Sequence, residues 1–91
     1  MADVLSRTLN IAQAATSTTS STVVAARPGR RRVTIKNMDA SIVITVNSSI
    51  AAATSTGFPI AAGATLTLDT NAVITAIAAS GTPSVAYIEE F

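Results

Sequence analysis

Cysteine, histidine and tryptophan are absent from this sequence of 91 residues. Without histidine and cysteine, the chain lacks the most common metal ligands, thiol chemistry and the side chain best suited to proton transfer near neutral pH. We therefore expect no metal site, no cofactor, no catalytic residue and no small-molecule substrate. The missing cysteines also exclude disulfide cross-links within the sequence, which suits a reducing compartment or a protein stabilised by assembly.

Aromatic residues are scarce as well, being limited to Phe58, Tyr87 and Phe91. Hydrophobic residues make up 48% of the chain, but many of them are alanines, which bury little area per residue. The length is sufficient for one domain only. This domain is expected to have a thin core and to gain stability by association.

Charged residues make up only 12% of the chain, and the net charge is +1. This balance disfavours both intrinsic disorder and nucleic acid as a partner, because the first needs a polar, charged composition and the second a strongly basic one. The uncharged stretch from Ala40 to Leu68 is interrupted by polar residues, glycines and Pro59, so no membrane span is predicted. Asp3 and Arg7 stand where an export signal needs an apolar core, so none is expected.

From Arg31 onward, apolar and polar residues alternate, which is typical of strands with one buried face. Residues 31–36 and 41–46 are separated by the turn sequence Asn37-Met38-Asp39-Ala40 and are predicted to form a hairpin. Residues 50–53 are predicted to form a short edge strand. The loop at 54–59 follows, and Pro59 excludes it from the centre of a sheet.

Three further strands are predicted at residues 64–68, 73–79 and 84–90, where they are expected to form a meander. The strand starts recur at intervals of roughly ten residues, which is typical of small antiparallel sheets. The fold class predicted from these patterns is all-β: a small antiparallel β-sandwich or barrel with an extended N-terminal arm.

The predicted arm comprises residues 1–22, and residues 23–91 form the predicted domain. Residues 14–21 are Ala, Ser and Thr only and can bury little surface. We expect strands around 8–13 and 22–26, with the arm adding itself to the sheet edge of a neighbouring molecule. Leu9 and Ile11 are therefore predicted to contact a partner.

Arginines are concentrated in one segment, Arg27-Pro28-Gly29-Arg30-Arg31-Arg32. This segment could be the solvent-exposed start of a strand, where its charges protect a sheet edge from aggregation. This interpretation requires no partner. An acidic protein surface is the alternative, for which Arg30, Arg31 and Arg32 are the candidate contacts. Nucleic acid ranks below both, because no aromatic residue that could stack on a base is interleaved with the arginines.

Carboxylates are not arranged in a pattern that predicts acid–base catalysis. Asp39 and Asp69 both lie in predicted turns, where they are expected to cap backbone N–H groups. Glu89 and Glu90 are adjacent on a strand and therefore point to opposite faces.

Several segments together resemble the small β-rich virion proteins of tailed bacteriophages. The matching residues are Arg31–Asn37, Gly57–Pro59, Ala62–Gly63, Leu68–Thr70 and Ala78–Phe91. They include an arginine-led strand, a Gly-x-Pro turn, a Leu-Asp-Thr strand end and an acidic, aromatic C-terminus. The resemblance covers about two-thirds of the chain.

The resemblance implies a capsid decoration, or cement, protein on the outer surface of a phage head. Such proteins bridge major capsid subunits, often as trimers, so the implied partners are the major capsid protein and further copies of this chain. The implied location is the virion, assembled in the cytoplasm of the bacterial host. The alternative is a head-fibre or tail module that binds a bacterial surface ligand.

Overall fold

Residues 8–91 are described by the computed structural model, and they form eight β-strands and no helix. Within this part of the chain, no helix could cross a membrane. The strands are β1 (Leu9–Ala15), β2 (Ser21–Val24), β3 (Arg32–Asn37), β4 (Ile44–Ser48), β5 (Phe58–Ile60), β6 (Thr65–Leu68), β7 (Ile74–Ala78) and β8 (Ser84–Glu90).

The strands form two four-stranded antiparallel sheets. The first sheet has the order β1-β8-β3-β6, and the second has the order β2-β7-β4-β5. Every connection except the one between β4 and β5 carries the chain from one sheet to the other. This is the strand order of an eight-stranded jelly roll. The all-β fold class is confirmed, and of the two predicted forms the sandwich is the observed one.

The predicted hairpin and meander are wrong, because strands that follow each other in sequence lie in different sheets. β3 pairs with β6 and β8, whereas β4 pairs with β5 and β7. Alternation identifies the buried face of a strand but not the sheet to which it belongs. The connections of four to seven residues are long enough to cross the roughly 10 Å between packed sheets.

Residues 8–22 are not a free arm, which corrects the predicted division at residue 22. β1 pairs with β8 over its full length, from Leu9↔Glu90 to Ala15↔Ser84, and β2 pairs with β7. The low-complexity connection is held by its backbone, since the Ala78 N–H donates to the Ser17 carbonyl at 2.8 Å. Backbone pairing of this kind needs no large side chains. Residues 1–7 of the predicted arm lie outside the described residues.

The predicted edge strand is displaced along the sequence. Residues 50–53 form no strand, and Ala53 makes only an isolated bridge with Thr56. The edge strand beside β4 is β5 instead, and it contains Pro59. Its edge position agrees with the expectation that proline stays out of the centre of a sheet.

The core lies between the sheets and is built from aliphatic side chains. No aromatic residue belongs to the buried hydrophobic set of residues 8–91. The members of this set are Val23, Val24, Val33, Ile35, Ile44, Val46, Ala52, Ile60, Ile74, Ala76, Ala78 and Val85. Leu66, Leu68 and Tyr87 are only partly buried against it.

Candidate functional site

The arginine segment does not form one surface, because Arg30 turns into the protein. Its side chain is fully buried and lies 2.8 Å from the Glu89 carboxylate. The guanidinium also donates to the carbonyl oxygens of Thr70 (2.8 Å), Ala25 (2.9 Å) and Ala72. Arg30 therefore cannot contact a partner from this position, and the prediction that it does so is wrong. Its planar fork of donors satisfies three backbone carbonyls and one buried carboxylate.

Glu89 is the buried anion that Arg30 requires. Its Oε1 accepts hydrogen bonds from Asn10 Nδ2 at 2.7 Å and from Arg27 Nε at 3.1 Å, and its Oε2 accepts from Arg30 Nη1 at 2.8 Å. Burial alone would raise the pKa of the Glu89 carboxyl. The hydrogen bonds from Asn10 and Arg30, together with the charge of Arg27, outweigh burial and hold this pKa below its ordinary value of 4.5.

These four residues, Asn10, Arg27, Arg30 and Glu89, form what we call the buried ion cluster. It joins β1 and β8 to the segment between β2 and β3. No buried side-chain nitrogen or oxygen of the described residues lacks a hydrogen-bond partner. The buried polar atoms of the cluster are therefore all hydrogen-bonded, as expected of a structural support.

The burial of Glu89 could have been predicted from its spacing in β8, although a charged residue near the C-terminus does not suggest burial. In β8, Val85 and Tyr87 point inward, and Glu89 follows at the same spacing of two. The expectation that Glu89 and Glu90 face opposite sides is correct, since Glu89 is fully buried and Glu90 is not. The burial of Arg30 could not be predicted in this way, because no spacing distinguishes it from the other three arginines of the segment.

The pH dependence of stability follows from the lowered pKa of Glu89. A carboxyl whose pKa is lower in the folded state stabilises the fold above its unfolded pKa, and this contribution is lost as the pH falls through the folded pKa. We expect the free energy of unfolding to decline below about pH 4.5. Urea unfolding at a series of pH values from 7 to 3 measures this decline in the free energy of unfolding. The difference in free energy of unfolding between the wild type and Glu89→Gln should become smaller as the pH falls. A difference that does not change with pH would contradict the stabilising role of the ionised Glu89 carboxylate.

Arg31 and Arg32 remain at the surface, at the end of the first sheet where β3 begins. Both are exposed, and they line a shallow depression together with Asp69 and Glu90. Arg32 Nε donates to Asp69 Oδ1 at 3.0 Å, and the Arg31 N–H donates to the Glu90 carbonyl at 2.7 Å. The structure thus leaves these two predicted contacts accessible, although Arg32 already has an acidic neighbour.

Leu9 and Ile11 are on the outer face of the first sheet, with exposed fractions of 51% and 67%. Ile11 is directly opposite Ile88 of β8, which is also exposed. We call these three residues, Leu9, Ile11 and Ile88, the outer apolar stripe. Both predicted partner contacts therefore remain accessible, but on a strand of the sandwich and not on an arm.

The turn carboxylates lie too far apart in the fold to act together. Asp39 follows β3, while Asp69 follows the antiparallel strand β6 and so lies at the opposite end of the sheet. The Asp39 carboxylate accepts hydrogen bonds from the N–H groups of Ser41 and Ile42 at 2.9 and 2.8 Å, and these bonds lower its pKa. This is the predicted capping role. Asp69 instead pairs with Arg32.

Comparisons with known proteins give a fold and no family. No family model and no curated protein matches the chain. It is similar to a solved structure from Bacillus endospore appendages, described as a novel family of disulfide-linked pili. The two chains are 13% identical, with a TM-score of 0.53, and the match covers 93% of this chain and 88% of the other. At this identity, the likeness shows a shared β-rich fold alone.

Proposed function

We propose that this protein is a non-enzymatic structural subunit that acts by binding other protein subunits. The observation that carries the proposal is the outer apolar stripe, a group of neighbouring apolar side chains left exposed on one face of the domain. Ile11 and Ile88 are directly opposite each other on the outer face of the first sheet and are 67% and 37% exposed, and Leu9 on the same strand as Ile11 is 51% exposed. Exposed apolar groups that are rimmed by polar residues are typical of protein interaction sites.

The specific role we propose is that of a capsid decoration protein on a phage head. The sequence resemblance to small virion proteins of tailed phages supports this role, and jelly rolls recur in viral capsid domains. The similar pilus protein is also part of a structural assembly, although this chain contains no cysteine for disulfide links. By binding the assembled shell, each copy would stabilise it through mass action. The proposed partner is the major capsid protein.

The first test is the copy number of the chain in purified virions, measured by quantitative mass spectrometry. A decoration protein is expected in hundreds of copies, because it binds the repeating subunits of the head. A handful of copies would favour a head-fibre or tail module instead. Absence from the virion would refute the proposed role.

A second test concerns the exposed arginines. Arg31→Glu is expected to lower capsid occupancy if this end of the first sheet faces an acidic capsid surface. Lys36→Glu is the matched control, because Lys36 is an exposed cation on the outer face of β3 in the same sheet. Occupancy is measured by cosedimentation of the variants with heads that lack the protein. Equal effects of the two substitutions would show that net charge, and not this surface, determines binding.

A further inference from the structure

β1 differs from the other three edge strands of the sandwich. β5 has three residues and contains Pro59, β6 has four residues, and β2 has four residues with a register shift between Thr22 and Val24. These features prevent edge-to-edge pairing. β1 has seven residues in continuous register, and it contains no proline and no charge. It is therefore the longest and least protected edge of the described residues.

The backbone phase of β1 identifies the groups that face the open edge. The Thr8 carbonyl accepts from the Phe91 N–H at 3.0 Å, and the Thr16 N–H donates to the Pro83 carbonyl at 2.9 Å. The even-numbered residues of β1 therefore exchange hydrogen bonds with β8, and the odd-numbered residues direct theirs away from it. The residues with outward-facing groups are Leu9, Ile11, Gln13 and Ala15. No other segment of residues 8–91 forms a backbone hydrogen bond with these four residues.

We infer that this edge pairs with the same edge of a second copy, in a two-fold antiparallel dimer. An antiparallel register that places Ile11 opposite Gln13 of the second copy also places Leu9 opposite Ala15. In this register every outward-facing N–H and C=O of β1 has a partner. The first sheet of one copy and the first sheet of the other would then form one continuous sheet of eight strands.

The side chains of β1 are compatible with this pairing. No like charges would meet, because the charged residues on the outer face of the first sheet lie on β3 and β8 and not on the edge strand. Ile11 would be the diagonal neighbour of Ile11 in the second copy, within reach of apolar contact. The contact would cover part of the outer apolar stripe, which is exposed in the single chain.

The inferred dimer goes beyond the proposed function and differs from the trimer that the resemblance implied. A two-fold edge contact closes at two copies, because each molecule has one β1. The inference rests on the geometry of the edge alone. A dimer would therefore stand even if the virion proved not to contain the protein.

The experiment combines sedimentation equilibrium with amide hydrogen exchange of the full chain over a range of concentrations. We expect the mass to double from 9.2 kDa as the concentration rises. Over the same range, the outward-facing amides of Leu9, Ile11, Gln13 and Ala15 should become protected. The even-numbered amides of β1 should be protected at every concentration, because they bond β8.

Two variants act on the edge without disturbing the pairing of β1 with β8. Ile11→Lys would place like charges diagonally across the two-fold contact and is expected to raise the dissociation constant at least about tenfold. Gln13→Pro removes an N–H that faces the open edge, where proline is tolerated, and should also weaken the dimer. Ile88→Lys is the matched control, because it adds the same charge to the same face on the interior strand β8.

Several results would overturn the inference. A chain that remains monomeric at millimolar concentration with unprotected odd-numbered amides has no such contact. Protection of these amides at all concentrations would mean that the edge is covered within one molecule. A trimer, or a dimer weakened as much by Ile88→Lys as by Ile11→Lys, would indicate association through another surface.

Discussion

Glu89→Gln is expected to lower the free energy of unfolding by about 3–5 kcal/mol, which is the usual cost of removing one member of a buried ion pair. The substitution keeps the shape of the side chain but leaves the fully buried Arg30 guanidinium without its anion. Arg27 cannot relieve this cost, because it is a second cation and is itself half-exposed. For a domain of this length, a loss of this size is a large fraction of the total stability.

Urea unfolding followed by circular dichroism measures this loss. Glu90→Gln is the matched control, since it removes the same charge from the next residue, which is only half-buried. Its expected effect is at most about 1 kcal/mol. If Glu89→Gln cost no more than Glu90→Gln, the buried ion cluster would not contribute to the stability of the fold.

Gly57→Ala is the second substitution with a large expected effect, because this glycine meets two constraints at once. Its φ of 134° belongs to a region that side-chain-bearing residues rarely adopt. An added Cβ would also stand 2.5 Å from the Val46 carbonyl oxygen and 2.9 Å from Thr45 Cγ2. Backbone strain and overpacking each cost about 1–3 kcal/mol. We therefore expect a loss of at least about 2 kcal/mol and displacement of β5 from β4.

Gly63→Ala is the control that measures the cost of backbone strain without overpacking. Gly63 has a φ of 74°, but an added Cβ there would have no heavy atom within 4 Å. Its expected cost is about 1–2 kcal/mol, from the left-handed conformation alone. Chemical unfolding compares the two variants, and amide exchange of Ile60 reports on β5. Equal losses at the two glycines would show that the close approach to Val46 costs nothing.

Alternation in the sequence of β3 was sufficient to predict which of its side chains face the core. Val33 and Ile35 are buried, while Arg32 and Lys36 of the same strand are exposed, as the pattern indicated. Alternation cannot show which sheet a strand joins. Asn37 illustrates the missing information: its Nδ2 donates to the carbonyls of Ile42 and Ile60, at 2.7 and 2.9 Å, and so ties the first sheet to the second.

The N-terminal strand was misjudged for a related reason. β1 presents alanines and an asparagine to the interior, so its sequence lacks the large apolar residues that identify a buried face. Its place in the sandwich depends on backbone pairing with β8 and on the bond from Asn10 to Glu89. Both are contacts between residues about seventy to eighty positions apart, which no local pattern reveals. The buried ion cluster escaped prediction for the same reason.

The position of β8 between β1 and β3 determines when the first sheet can form during synthesis. A ribosome makes β1 and β3 long before it makes β8, so neither strand has this neighbour while the chain is growing. The anion that compensates Arg30 also arrives with β8. Closure of the sandwich is therefore delayed until β8 has left the exit tunnel. Until then, β1 and β3 each have an unpaired edge that molecular chaperones can bind.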